Sequence, residues 1–129
     1  MNDHVTDRHG VRVLECASDG DRVDNDRDAV DLIALALEHK AKLVVLPVPR
    51  LHGDFFTLSS RIAGEIVQKF VQYRLPVAIV GDISGHLDGS SALRAFVYEA
   101  NRGNDIWFVH DKTELDDRLL RAQRNDNTG

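Results

Sequence analysis

Four polar residues follow two apolar segments of the sequence, and they could do chemistry if the fold brings them together. His52 and Asp54 follow one apolar run, and Asp82 and Ser84 follow the next. Carboxylates and an imidazole are the side chains that bind metals or perform acid–base catalysis. Asp also favours turns, so ordinary solvated loop residues are the competing interpretation. The four residues therefore define a hypothetical rim pocket.

A second group, Ser60 and Arg61 with Asp54 a few residues earlier, precedes a stretch with helical periodicity. A phosphate on Ser60 would bring about −2 charge to the positive end of the predicted helix. Arg61 could stabilise that phosphate or hold off a partner kinase. Alternatively, the hydroxyl of Ser60 only satisfies a first-turn amide, as Ser commonly does. The sequence thus predicts either a phospho-switch or a simple helix cap here.

Other chemistry has little support. No His, Cys or carboxylate pair has metal-ligand spacing on one element, so we expect no metal and no cofactor. The segment 81–85 lacks the Lys and the Gly spacing of a phosphate loop. Cys16 is the single cysteine, which excludes an internal disulfide and favours a reducing compartment. A buried, inert thiol is the preferred interpretation of Cys16.

Composition narrows the class of protein. The chain has 129 residues, with 16 Lys and Arg against 21 Asp and Glu, and a formal net charge of −5. Nucleic-acid binding needs clustered cations, and no basic run of five occurs, so we expect no nucleic-acid partner. The apolar runs are too short to span a bilayer, and the N-terminus lacks the apolar stretch of a signal peptide. These features predict a soluble, cytoplasmic protein with no membrane partner.

The pattern of elements predicts one α/β domain with a mostly parallel central sheet and alternating helices. The predicted order is a strand or hairpin, then helix and strand three times, then a closing helix. Apolar runs at 43–48, 77–80 and 106–109 are typical of buried parallel strands. Residues 1–10 form an N-terminal segment with a possible short hairpin strand, 11–123 the domain, and 124–129 a frayed polar tail.

Two predicted helices carry further expectations. The helix at 28–39 has an apolar face wider than one-sided packing needs, which indicates deep burial or a homodimer through this helix. The second helix is predicted over 58–73. It contains Gly64, which costs about 1 kcal/mol relative to Ala within a helix. The pair Ala63-Gly64 therefore predicts a close approach of another element.

Several stretches of the sequence resemble a bacterial family of unknown function, DUF4180. They are Asp54-Phe55-Phe56-Thr57-Leu58, the run from Ala63 to Phe70, Tyr73-Arg74, the run from Asp28 to Ile33, and the run from Glu99 to Gly103. The resemblance spans roughly residues 11–118. It implies nothing about activity, and Arg61 stands where members usually carry Gly.

The element order is also similar to that of the sulfate-transporter and anti-sigma-factor-antagonist (STAS) domains. Those are small cytoplasmic binding modules, some of which are switched by phosphorylation of a hydroxyl at the start of a helix. Ser60 is similar in place, but the usual Asp before and Gly after the hydroxyls are missing here. A likeness of fold does not carry function with it.

We therefore expect a regulatory or protein-binding module with an unidentified protein partner. The alternative is an enzyme or small-ligand sensor that uses His52, Asp54 and Asp82 at the rim of the sheet. An enzyme requires these groups to point into one cavity, whereas a binding module requires an apolar patch on the helical surface.

Overall fold

A computed structural model describes residues 3–127 of the chain, and the side chains of residues 3–122. One five-stranded sheet is at its centre. The strands are β1 (His4–Arg8), β2 (Val11–Glu15), β3 (Leu43–Pro47), β4 (Val77–Val80) and β5 (Ile106–Val109). β1 pairs antiparallel with β2, and the other neighbouring pairs are parallel. The predicted α/β class and mostly parallel sheet are confirmed, and the N-terminal hairpin is present.

The helices alternate with the strands, as predicted. They are α1 (Asp26–Glu38), α2 (Ile62–Gln72), α3 (Ser84–Leu87), α4 (Ser91–Arg102) and α5 (Lys112–Asn127). α5 continues through most of the tail predicted to fray, and residues 128–129 lie outside the described residues. None of the described helices combines the length and apolar character needed to cross a membrane.

The strands lie in the sheet in the same order as in the chain, β1-β2-β3-β4-β5. Because crossovers between parallel strands are right-handed, this order places all connecting helices on one face. The larger core is on that face, where Ile33 of α1, Phe70 of α2 and Leu93 of α4 pack with the sheet. The opposite face carries Val13, Val45 and Trp107 among others, and is covered by Leu115 and Leu119 of α5.

Short polar side chains begin three of the helices. Asn25 Oδ1 accepts a hydrogen bond from Asp28 N (2.9 Å) at the start of α1. Ser90 Oγ accepts from Leu93 N (3.2 Å) at the start of α4. Asp111 Oδ1 accepts from Glu114 N (2.9 Å) at the start of α5. Each oxygen satisfies one of the amides that a first helical turn leaves without a partner.

The predicted helix at 58–73 begins only at Ile62. Before it, Gly53–Phe56 and Leu58–Ser60 form two 3₁₀ turns, and Arg61 has a left-handed conformation with φ 68°. Phe55 and Phe56 are buried, and their rings meet edge to face with centroids 5.0 Å apart. Anchoring both aromatic rings in the core fixes the path of this segment and interrupts the helix.

Two further predictions, about Gly64 in α2 and the apolar face of α1, have different outcomes in the structure. Gly64 lies on the exposed side of α2, and a Cβ at this position would have nothing within 4 Å. The predicted close approach at Gly64 is therefore wrong. In α1, Ala29, Ile33 and Ala36 are buried in the core, while Leu37 remains 47% exposed. Core packing therefore uses much of the wide apolar face, and the homodimer through this helix stays a prediction.

Candidate functional site

His52 and Asp54 form a local pair in the segment after β3. His52 Nδ1 accepts a hydrogen bond from the Asp54 backbone N–H (3.0 Å) and lies 3.4 Å from Asp54 Oδ2. The acceptor role requires Nδ1 to be unprotonated. The imidazole thus caps the 3₁₀ turn Gly53–Phe56, a structural use that accounts for its position.

Asp82 and Ser84 form a second local pair, after β4. Asp82 Oδ1 accepts from Ser84 N (2.9 Å), and the hydrogen bonds from Ser84 hold the pKa of Asp82 below its ordinary value. They line a cavity of about 270 Å³ together with His110 and Glu114. Among the described residues that line this cavity, neither His52 nor Asp54 is present. The structure therefore does not place His52 and Asp54 at the cavity that Asp82 and Ser84 line.

Ser60 is exposed and already uses its hydroxyl in two hydrogen bonds. Its Oγ donates to Asp54 O (2.7 Å) and accepts from Ile62 N (3.2 Å). Arg61 follows in the left-handed region, where glycine is the residue with the lowest cost. The phospho-switch at Ser60 stays a prediction.

An apolar groove lies between α2 and α4. α1 packs closely against α2, whereas α2 and α4 are separated by a cavity of about 590 Å³. Its apolar lining consists of Val67 and Val71 of α2, Ala92, Ala95, Phe96 and Ala100 of α4, and Ile106 of β5. Val71 is 39% exposed, so the groove presents apolar surface to solvent. Sequence analysis missed it because Phe96 and Ala100 have inward-facing periodicity; they are only partly buried.

The charge at this groove has one sign. Among the described residues that line it, the charged ones are Glu99 and Asp105. Glu99 also lies 3.7 Å from Arg102, but both side chains are exposed, and such pairs contribute little. The groove therefore combines an apolar floor with an acidic end.

Two buried charged groups, Glu15 and Arg50, were not singled out from the sequence. Glu15 is 5% exposed and pairs with Arg8, whose Nε lies 3.0 Å from Glu15 Oε1, and with Lys112 at 3.5 Å. Arg50 is 4% exposed and pairs with Asp3. Asp3 and Lys112 are distant in sequence from the residues they pair with, and the Arg8–Glu15 pair crosses the β1–β2 hairpin, so local periodicity carries no signal for these pairs.

Cys16 is buried beside these groups, as expected for a structural thiol. Burial, with a smaller contribution from the Asp3 carboxylate, raises the pKa of Cys16 to about 12. The thiolate is the reactive form, so this cysteine is a poor nucleophile at neutral pH. No group of three or more His, Cys, Asp or Glu residues that could hold a metal occurs within the described part of the chain.

Comparison with known proteins gives one match. Residues 8–119 match the family described as Domain of unknown function (DUF4180). The match covers most of the chain and includes the segments that carry the resemblance in the sequence. No curated protein and no solved structure matches the chain significantly.

Proposed function

Because the chain belongs to the DUF4180 family, whose description names no activity, we propose a function from its geometry: it is a protein-binding module. The observation that supports this proposal is the apolar groove between α2 and α4, which has an acidic end. Its occupant is an amphipathic helix of a partner protein that carries Lys or Arg beside its apolar face.

The groove has the features of helix-in-groove recognition. Such sites accept the apolar side chains of an amphipathic helix at three- and four-residue spacing. The small side chains of Ala92, Ala95 and Ala100 keep the groove open between the two helices. Burying its apolar surface under a partner helix removes that surface from water, which is the main favourable contribution to most associations.

The charges support the choice of partner. Glu99 and Asp105 would face the flank of a bound helix, and opposite charges across an interface contribute specificity and faster association. A partner with Lys or Arg at that flank satisfies both carboxylates, whereas an acidic partner would be repelled. The same reasoning disfavours nucleic acid as the occupant.

The enzyme alternative has weaker support. His52 with Asp54 and Asp82 with Ser84 each make local hydrogen bonds that cap turns. Catalysis would need the candidate acid, base and nucleophile within reach of one reacting atom. The partner-binding proposal instead uses a surface that otherwise leaves apolar side chains in water.

The test compares three tagged proteins in affinity purification from cells of the source organism. The proteins are the wild type, Ala95→Arg, which places a long cation in the groove, and Gln72→Arg, which places the same cation on α2 at a residue that does not line the groove. Ala95 and Gln72 are both exposed, so both variants should fold. We expect one protein to be retained by the wild type and by Gln72→Arg, and to be lost with Ala95→Arg.

A retained protein is then titrated as a purified partner, and Glu99→Lys is added to the series. Charge complementarity predicts weaker binding to Glu99→Lys and a loss of affinity with added salt. Equal retention of every captured protein by all three baits would exclude the groove as the binding surface. A retained partner with an acidic segment would contradict the proposed charge pattern.

A further inference from the structure

Arg50 follows β3, and its guanidinium is buried among hydrogen-bond acceptors. Nη1 lies 2.9 Å from Asp3 Oδ1, and Nη2 lies 3.3 Å from Asp3 Oδ2, so the pair is bidentate. The backbone N–H of Ala17 donates a third hydrogen bond, to Asp3 Oδ1 (2.9 Å). The side chains of Arg50 and Asp3 are 5% and 2% exposed. The carboxylate of Asp3 is thus held in the way that proteins recognise a carboxylate ligand.

The guanidinium is oriented by groups other than Asp3. Nε donates to Asp21 O, and Nη1 also donates to Ala17 O (2.9 Å). Gly20 leaves the space that the guanidinium occupies, because a Cβ there would lie 2.6 Å from Nη1. If Asp3 were replaced, two backbone carbonyls would still hold the side chain of Arg50. Its guanidinium would then point at the position that the Asp3 carboxylate had occupied.

Of the groups that bind the Arg50 guanidinium, the Asp3 carboxylate is the one that a ligand could displace, because of its position in the chain. Asp3 immediately precedes β1, an edge strand whose sheet pairing is with β2. The ends of edge strands open at lower free energy than the core does. Asp3 and Arg50 also line a cavity of about 430 Å³ that is open to solvent. A small solute can therefore reach the guanidinium when Asp3 leaves.

We propose that Arg50 and the Ala17 amide form a binding site for a carboxylate ligand, which Asp3 of the same chain occupies until a ligand displaces it. Apart from Asp3 and Arg50, the charged residues that line the cavity are Asp21, Asp28, Asp31 and Glu38 against Arg22, and this acidic excess favours a monocarboxylate over a dianion such as phosphate. The site shares no lining residue with the groove between α2 and α4 among the described residues. It stands independently of the proposed partner binding.

The test is chemical rescue of Asp3→Ala in the full chain. Thermal unfolding is followed with increasing sodium formate, against sodium chloride at equal ionic strength. Since a ligand that binds only the folded state stabilises it by mass action, formate should raise the Tm saturably by about 2 °C or more over chloride. If Asp3→Ala is unfolded at room temperature, the same titration followed by circular dichroism should show formate restoring secondary structure.

Two variants and a second anion make the result specific. The double variant Asp3→Ala with Arg50→Met should show no difference between formate and chloride. Asp116→Ala is the matched control, since it removes a carboxylate from Arg8 while Glu15 keeps that arginine paired. Equal responses of Asp3→Ala to formate and chloride would overturn the site. A larger rise with phosphate than with formate would overturn the carboxylate assignment.

Discussion

Gly64 offers the most direct test of a single residue. It lies within α2, is exposed, and has open space where a Cβ would be. Because Ala loses less backbone entropy than Gly on entering a helix, Gly64→Ala should raise the free energy of unfolding by about 0.5–1 kcal/mol. Urea denaturation measures the change.

Gly81→Ala is the matched comparison for Gly64→Ala. Gly81 has φ 149°, and a Cβ there would lie 2.8 Å from Val48 Cγ2. The same substitution should therefore lower the free energy of unfolding, by more than about 1 kcal/mol, because of backbone strain and steric overlap. If both variants shifted stability in the same direction, the two backbone environments would not differ as described.

Cys16 gives a prediction about pH. Burial raises its pKa from 9.0 to about 12, so the folded protein keeps the thiol proton where the unfolded chain loses it. The contribution of Cys16 to stability is complete below pH 9 and declines as pH rises from 9 towards 12. The difference in stability between the wild type and Cys16→Ala, measured by urea denaturation across this range, should decrease.

The same thiol should be slow to react in the folded state. At pH 8 the thiolate fraction is roughly a thousandth of that of a thiol with a pKa of 9, because each pKa unit changes it about tenfold. A thiol-specific reagent should modify Cys16 rapidly only after denaturant is added. Rapid modification of the native protein would contradict both its burial and its raised pKa.

The junction between α4 and β5 depends on Asn101. β5 is an edge strand, and Asn101 Oδ1 accepts a hydrogen bond from the Phe108 N–H (2.7 Å). Asn101→Ala removes the acceptor, so stability should fall by about 1–2 kcal/mol, and the Phe108 amide should exchange faster with solvent. Hydrogen exchange measures both the loss of stability and the faster exchange of the Phe108 amide. Asn104→Ala, in the exposed loop, is the control. Unchanged exchange at Phe108 would show that this bond does not protect the strand edge.

Periodicity predicts most of the elements, because apolar strands and amphipathic helices carry their signal locally. The apolar run at 43–48, for example, contains the buried strand β3. The break at Arg61 was not predicted, because it follows from burying Phe55 and Phe56 in the core. Tertiary contacts decide such features, and the surrounding residues give no repeating pattern for them.

The candidate sites were harder to predict than the elements. The sequence correctly places polar residues after the strands, but it does not show which side chains share a cavity. The burial of Arg50 depends on Asp3, 47 positions away along the chain, and on the space left by Gly20. The groove between α2 and α4 depends on the distance between two helices. Spacing between elements is set by the whole fold.

At the scale of the whole molecule, the prediction is that the protein forms a homodimer. The homodimer expected through 28–39 would use Leu37 at its centre, since this side chain is 47% exposed. Light scattering at micromolar concentration should give twice 14.4 kDa, and Leu37→Arg should return the mass to that of one chain. Leu120→Arg on α5, where the leucine is 39% exposed, is the control. A wild-type mass of 14.4 kDa would exclude the dimer.

The order of the strands also has consequences for synthesis on the ribosome. Each strand pairs with one already made, so the sheet can grow during translation without waiting for a distant partner. The face with Val13, Val45 and Trp107, however, is covered by α5, which is made only after β5. Nascent chains that stop before Lys112 would present this apolar surface to water. Such chains should require chaperones and be early targets of degradation.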